Sequence, residues 1–198
     1  LIDTFVATDA TTFVSTIQAT ATNGLYAEFD NITVREVLEW SNALDFDGSN
    51  DHLISAATTT TSGFICIALV ADALGFMAPI GNGAVSPGVD AGVAIKLRSN
   101  GGVWFRTATA ATQSEIQASS AYTAGVPVVL TMAWTPSLLQ AWVNGISVGT
   151  VSNPNVAASG ALYLGCHSES FAEMFNGKII DIAIDQGTLT DNDRRTIE

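Results

Sequence analysis

From Ala43 onward the sequence alternates short apolar or alternating runs with turns rich in Gly, Asn and Asp, at intervals of roughly 8–15 residues. This rhythm is typical of an all-β sandwich. The segment Leu44–Ile54 sets the pattern, because an alternating run is followed by the turn Gly48–Asp51 and then by a new apolar run. We predict strand, turn and strand, which together form the opening hairpin of the domain.

Two later segments carry strong strand signals. Gly63–Ala71 is a nearly continuous apolar run and predicts a central strand buried on both faces. Leu138–Val151 contains the dipeptide Asn144-Gly145, which is a strong short hairpin signal. We also predict a strand over Gly75–Gly83.

The clearest hairpin lies over Val93–Thr107, where apolar and polar residues alternate on both sides of Asn100–Gly102. A three-residue loop at Asn100–Gly102 predicts that Leu97 pairs with Phe105 and that Arg98 pairs with Trp104. That register keeps the apolar side chains on one face. The opposite face carries the candidate ligand-binding residues Lys96, Arg98, Trp104 and Arg106. A cation–π pair of Arg98 on Trp104 explains them structurally, and a partner-docking or anionic-glycan patch explains them functionally.

Composition and charge exclude several classes of partner. The chain has 7 basic and 19 acidic residues, a net charge of −12, which disfavours nucleic acids and anionic membrane surfaces. The most apolar segment, Gly63–Ile80, is interrupted by Asp72, Gly75 and Pro79, so it predicts a buried strand and not a membrane helix. Cys66 and Cys166 lie far apart in the sequence, in apolar surroundings, which favours two buried free thiols over a disulfide.

The chain divides into two parts by pattern. Residues 1–42 are Thr/Ala-rich and irregular, too short to close a sandwich, and predict an extended β arm or the end of an upstream domain. Residues 43–198 form the sandwich domain. At its end, Thr190 is a suitable N-cap for a short helix over Asp191–Glu198.

The order of these motifs resembles the laminin-G-like jelly-roll domains of the concanavalin A-like lectin/glucanase superfamily. The matching segments are Leu44–His52, Phe64–Ile67, Val128–Trp134, Trp142–Gly149, Phe175–Ile182 and Leu189–Ile197. The family pattern has Tyr where this chain has His52, and a His before the central strand that this chain lacks. The resemblance implies an all-β fold: a two-sheet antiparallel jelly-roll sandwich. It implies little about the ligand, because the family spans lectins, adhesive modules and passive structural modules.

A second resemblance concerns Phe29–Val37, which is similar to a strand that often ends repeated jelly-roll modules in bacteriophage tail and virion proteins. It implies a virion component. We therefore predict a non-enzymatic virion surface protein of the decoration, fibre or spike type, with an extracellular location. Its predicted partners are other virion subunits in a homo-oligomer and a cell-surface glycan. The alternative is a secreted carbohydrate-binding, lectin-like module.

Catalysis is disfavoured by the residues present. The superfamily includes glucanases, whose catalytic strand carries Glu-x-Asp-x-x-Glu. The nearest match, Glu28–Thr33, ends in Thr where the second Glu belongs and lies outside the sandwich domain. We predict no enzymatic activity and no catalytic residue.

A calcium site is a minority hypothesis for the acidic turn. The calcium-loop spacing is superficially matched by Asp45, Asp47, Ser49 and Asp51. Asp181 or Asp185 could join them, because the first and last strands are often neighbours in the resembled fold. The alternative interpretation is turn chemistry, in which the carboxylates bond nearby backbone N–H groups. No other cofactor is predicted.

A carbohydrate site in this fold would present an exposed aromatic ring in the loops or on the concave sheet face. Trp142, Tyr163 and His167 are the candidates for that role. Each of these residue types is more often part of the core or its rim.

Overall fold

The computed structural model describes residues 43–82, 85–86, 89–90, 92–109, 111–157, 159–167 and 173–185. These ranges contain strands and turns but no helix, and so no helix able to cross a membrane. The strands are β1 Leu44–Asp47, β2 Leu53–Thr59, β3 Gly63–Ala71, β4 Met77–Gly81, β5 Val85–Ser86, β6 Val89–Asp90, β7 Gly92–Leu97, β8 Val103–Ala108, β9 Gln113–Ala118, β10 Val128–Trp134, β11 Leu138–Val143, β12 Ile146–Ser152, β13 Ser159–Leu164 and β14 Asn176–Asp185. The predicted arm at 1–42 and the predicted helix Asp191–Glu198 lie outside the described residues.

Twelve of these strands form two antiparallel sheets of six. The first sheet has the order β1-β14-β3-β10-β11-β12, and the second has the order β2-β13-β4-β7-β8-β9. A small ribbon of β5 and β6 accompanies them. This is the all-β, two-sheet sandwich that the sequence predicts.

The hydrophobic core lies between the two sheets, because alternate residues of each strand point to opposite faces. On β3 the side chains of Ile65, Ile67 and Leu69 are fully buried. On the second sheet, Ile95 of β7 and Phe105 of β8 are direct partners and are also fully buried. β3 lies between β14 and β10, so the predicted central strand is confirmed.

The segment Leu44–Ile54 forms strand, turn and strand as predicted, but the predicted hairpin is wrong. β1 pairs with β14 in the first sheet, whereas β2 pairs with β13 in the second. The turn is therefore an arch that carries the chain from one sheet to the other. Hairpins and arches need the same alternation and the same turn residues, so the sequence pattern did not separate them.

The β7–β8 hairpin forms, but its predicted register is also wrong. Leu97 pairs with Val103, and Trp104 pairs with Lys96. The loop is one residue earlier than predicted, because the Arg98 N–H donates to the Gly102 carbonyl at 2.9 Å. Gly101 supplies the left-handed conformation (φ 76°) that this three-residue turn requires. A one-residue shift of the loop moves each partner by two positions, so the same side chains still share a face.

Two local predictions are confirmed. Val143 pairs with Ile146 around the Asn144-Gly145 turn, as expected for a two-residue hairpin loop. Cys66 and Cys166 are both buried thiols.

Candidate functional site

The outward side of the β7–β8 hairpin carries three of the four basic side chains that the structure describes. Lys96 and Trp104 are cross-strand partners, and Arg106 lies two residues further along β8. Arg98 follows the end of β7 and lies over Trp104. Phe76 completes the group from the loop before β4. We call Phe76, Lys96, Arg98, Trp104 and Arg106 the cation–aromatic face.

The Arg98 guanidinium lies in a corner formed by two aromatic rings. Its carbon is 3.6 Å from the centre of the Trp104 ring and 4.4 Å from the centre of the Phe76 ring. The two rings are nearly perpendicular, at 85°. The guanidinium therefore lies within cation–π distance of both rings. The predicted cation–π pair of Arg98 and Trp104 is confirmed.

The other two cations of this face have carboxylate partners. Lys96 Nζ lies 3.0 Å from Glu173 Oε2, and Arg106 Nη2 lies 2.9 Å from Glu115 Oε2. Lys96 is only 3% exposed, so its ion pair is screened less by water than a surface pair is. Arg106 and Glu115 are direct partners in the β8–β9 register, which fixes the geometry of that pair. Both charges are therefore largely balanced within the protein.

Tyr122 connects the two loops that carry Phe76 and Arg98. Its hydroxyl donates to the Arg98 carbonyl at 2.9 Å and accepts from the Gly75 N–H at 3.3 Å. Its backbone N–H donates to the Gly101 carbonyl at 3.0 Å. Its side chain is buried. Tyr122 thus fixes both sides of the aromatic corner within the protein itself.

We expect Tyr122→Phe to lower the free energy of unfolding by about 1 kcal/mol at neutral pH, because these loop-bridging hydrogen bonds are lost. Burial raises the pKa of Tyr122 above its ordinary value of 10.0, and the Gly75 hydrogen bond opposes this more weakly. Above the ordinary value, the unfolded chain releases a proton that the folded protein keeps, so wild-type stability falls as pH rises.

Urea unfolding at about pH 8 and about pH 11 tests this expectation. The wild type should lose stability across the interval, and the Tyr122→Phe variant should lose less. An equal loss in both proteins would contradict the assignment of the alkaline effect to Tyr122.

The structure separates the three predicted sugar-stacking residues. Tyr163 of β13 is half-buried on the second sheet, opposite Ile54 of β2. His167 is buried and, together with Arg106, lines a shallow depression on the same sheet. Trp142 lies on the first sheet. It is only 7% exposed and packs in a cluster with Phe64, Ala133 and Ala183. Little of the Trp142 ring is therefore open to a ligand.

The acidic turn shows the predicted turn chemistry. Asp47 Oδ1 accepts from the Ser49 N–H at 2.7 Å, and Asp51 Oδ2 accepts from the Asp47 N–H at 3.1 Å. These bonds hold the arch between β1 and β2. The turn-chemistry interpretation is confirmed for these two carboxylates.

Asp45 and Asp181, which also belong to the calcium hypothesis, bond to other partners. Asp45 pairs with Lys178 at 2.8 Å, and this hydrogen bond raises the pKa of Lys178. Asp181 accepts from the Ile182 N–H at 2.8 Å, beyond the stretch of β14 that pairs with β1. Within the described part of the chain, no three His, Cys, Asp or Glu side chains are grouped to hold a metal ion.

Four members of the cation–aromatic face were predicted from the sequence, and Phe76 was not. The predicted strand Gly75–Gly83 included Phe76, whereas β4 begins at Met77. Glu115 was not predicted either, because Gln113–Ala118 has too few apolar residues to indicate strand β9. A phenylalanine directly after a glycine, at the start of a strand, was the one weak signal for Phe76.

A scan of protein-family models and a search of curated proteins found no match to this sequence. Solved structures do match. The native heptameric SAP-like pentraxin from Limulus polyphemus matches with a TM-score of 0.57 and 15% identity, over 74% of this chain and 76% of that chain. The CBM40 of the Ruminococcus gnavus IT-sialidase, bound to α2,3-sialyllactose, matches with a TM-score of 0.55 and 16% identity, over 68% and 80%.

A third match is domain 4 of AbnA, a GH43 extracellular arabinanase from Geobacillus stearothermophilus, in complex with arabinotriose. Its TM-score is 0.58 at 15% identity, over 78% of this chain and 75% of that chain. At such identities these matches establish the fold alone. They agree with the concanavalin A-like jelly-roll sandwich that the sequence motifs imply.

Proposed function

We propose that this protein is a non-catalytic glycan-binding module whose ligand lies on the cation–aromatic face. The observation that carries the proposal is the Phe76 ring, which is 45% exposed and lies beside the stacked pair of Arg98 and Trp104. Sugar rings offer C–H faces that pack on aromatic surfaces, and hydroxyl groups that bond to charged side chains. This face combines both kinds of partner, on strands β7 and β8 and on the loops next to them.

The structural matches support a glycan-binding role for a sandwich of this kind. Two of the matched structures hold a saccharide, sialyllactose in one and arabinotriose in the other. They share only the fold with this chain, so the position of the site is argued from the contacts of Phe76 and Arg98.

The engagement of the nearby carboxylates supports a binding role over hydrolysis. A glycosidase needs two carboxyl groups that flank the scissile bond, one of them a proton donor. On this face Glu115 accepts from Arg106 and from Gln117, and Glu173 pairs with Lys96. Each of these glutamates therefore has a cationic partner on this face.

We propose two alternative locations for this module. A host-adhesive surface protein of a virion and a secreted lectin-like module would both present this face outside a cell. The resemblance of residues 29–37 to virion proteins favours the first form, and that segment lies outside the described residues. Detection of this chain by mass spectrometry in purified virions would support the first form, and detection only in culture fluid would support the second.

We expect Phe76→Ala to weaken glycan binding about tenfold, because an aromatic contact contributes about 1 kcal/mol or more. A glycan array identifies a bound oligosaccharide, and titration calorimetry then measures its Kd for each variant. Ile146→Ala is the matched control, since Ile146 is exposed and lies in the first sheet. Absence of saturable binding to any glycan, or equal Kd values for Phe76→Ala and the wild type, would contradict the proposal.

A further inference from the structure

We infer that Arg98 anchors the oxyanion group of an acidic saccharide, which rests on the proposed glycan-binding function and specifies its ligand class. The oxyanion is a carboxylate or a sulfate. Arginine binds such groups through parallel N–H donors in a fixed planar fork.

Arg98 makes two aromatic contacts, with its guanidinium carbon over the Trp104 ring at 3.6 Å and over the Phe76 ring at 4.4 Å. Within the described parts of residues 43–185, Arg98 forms no ion pair with a carboxylate. Aromatic faces attract the cation but do not fully replace oxygen acceptors for its N–H groups. We therefore expect the side-chain N–H groups of Arg98 to be available to a ligand.

The local charge around Arg98 differs from the charge of the whole chain. Among the described residues, Lys96 pairs with Glu173 and Arg106 pairs with Glu115, whereas Arg98 has no carboxylate partner. The whole chain carries a net charge of −12, which repels an anion at long range. Salt near physiological strength screens such repulsion beyond about 8–10 Å. An anion in contact with Arg98 therefore meets a cation that no described carboxylate neutralises.

Hydrogen bonds and ring contacts hold Arg98 in place. The Arg98 N–H donates to Gly102, and the Arg98 carbonyl accepts from the Gly101 N–H and the Tyr122 hydroxyl. The side chain is packed against two rings. Ligand binding then costs little additional side-chain entropy, which is the advantage of a preorganised site.

The experiment compares matched ligands and matched variants. The carboxylate probes are an oligogalacturonate and its methyl ester. The sulfate probes are a sulfated galactose oligosaccharide and its desulfated form. Each is titrated against the wild type, Arg98→Lys and Lys178→Gln. Lys178 is the control because it is a basic residue on the first sheet, paired with Asp45.

We expect the wild type to bind at least one charged probe about tenfold more tightly than its neutral form. Arg98→Lys keeps the charge but lacks the planar fork, so it should lose most of that preference while retaining the affinity for the neutral form. Lys178→Gln should behave as the wild type. Preference for the oligogalacturonate identifies a carboxylate, and preference for the sulfated probe identifies a sulfate.

The outcomes that overturn the inference are distinct from those that overturn the proposed function. Equal wild-type affinity for charged and neutral forms overturns the role of Arg98 and leaves glycan binding intact, and this comparison needs no variant. An unchanged preference in Arg98→Lys, with an unaltered urea midpoint, also overturns it. Absence of binding to every saccharide probe and to a full glycan array overturns both.

Discussion

Gly165→Ala is expected to lower the free energy of unfolding by about 2–4 kcal/mol. Gly165 has a φ of +83°, a conformation that alanine adopts only with strain. A Cβ at this position would overlap the Phe46 ring and would lie 2.8 Å from the Asp51 carbonyl oxygen. The backbone has little room to move, because the Gly165 N–H donates to Pro79 and its carbonyl accepts from Phe175. Urea unfolding followed by tryptophan fluorescence measures the change.

Two other glycines separate the causes of this loss. Gly125 has a similar φ of +74°, but a Cβ there would meet nothing within 4 Å, so Gly125→Ala should cost about 1–2 kcal/mol from backbone strain alone. Gly160 has open space around it and no positive φ, so Gly160→Ala should change stability by less than about 0.5 kcal/mol. A Gly165→Ala loss no larger than that of Gly125→Ala would show that the contact with Phe46 is not tight.

Phe46→Ala is expected to lower the free energy of unfolding by about 3–5 kcal/mol. Phe46 is 3% exposed, belongs to the core between the sheets, and has its ring centre 6.0 Å from that of Phe175. Its loss leaves a cavity beneath β1, whose one sheet partner among the described strands is β14. Urea unfolding measures the effect. A loss below about 1 kcal/mol would contradict the assignment of Phe46 to the core.

The double variant Phe46→Ala/Gly165→Ala tests whether the two positions act on each other. The alanine at 165 would fill space that the phenylalanine ring vacates, so the combined loss should be smaller than the sum of the single losses by about 1 kcal/mol or more. Simple additivity would mean that strain at the Gly165 backbone, and not the ring contact, accounts for the cost.

The parts of the fold that the sequence predicted are those set by local chemistry. The continuous apolar run of Gly63–Ala71 indicates a strand buried on both faces, and Asn144-Gly145 indicates a two-residue hairpin loop. Both features depend on neighbouring residues alone. Whether β1 and β2 pair with each other depends on which distant strands compete for their edges. Here β1 pairs with β14 and β2 pairs with β13. The local sequence pattern does not indicate which distant strand will pair with each of them.

The candidate site shows the same division. One face of the β7–β8 hairpin carries Lys96, Arg98, Trp104 and Arg106. The alternation of apolar and polar residues places these side chains together, even though the predicted register was wrong by two positions. Phe76, Glu115 and Glu173 reach the face from other segments, through the packing of a loop, the pairing of β9 with β8, and an ion pair. The exposure of Trp142 was not predictable either, since the same residue pattern suits an open ring and one packed on Phe64.

The position of β14 has a consequence for synthesis on the ribosome. β3 is the strand in the middle of the first sheet, and one of its two neighbours is β14, the last strand described. Until β14 leaves the exit tunnel, β3 lacks at least one of its two neighbours, and β1 lacks the partner that it has among the described strands. Such edges invite pairing with other chains. The exposure of the β3 edge to other chains therefore lasts until β14 is synthesised.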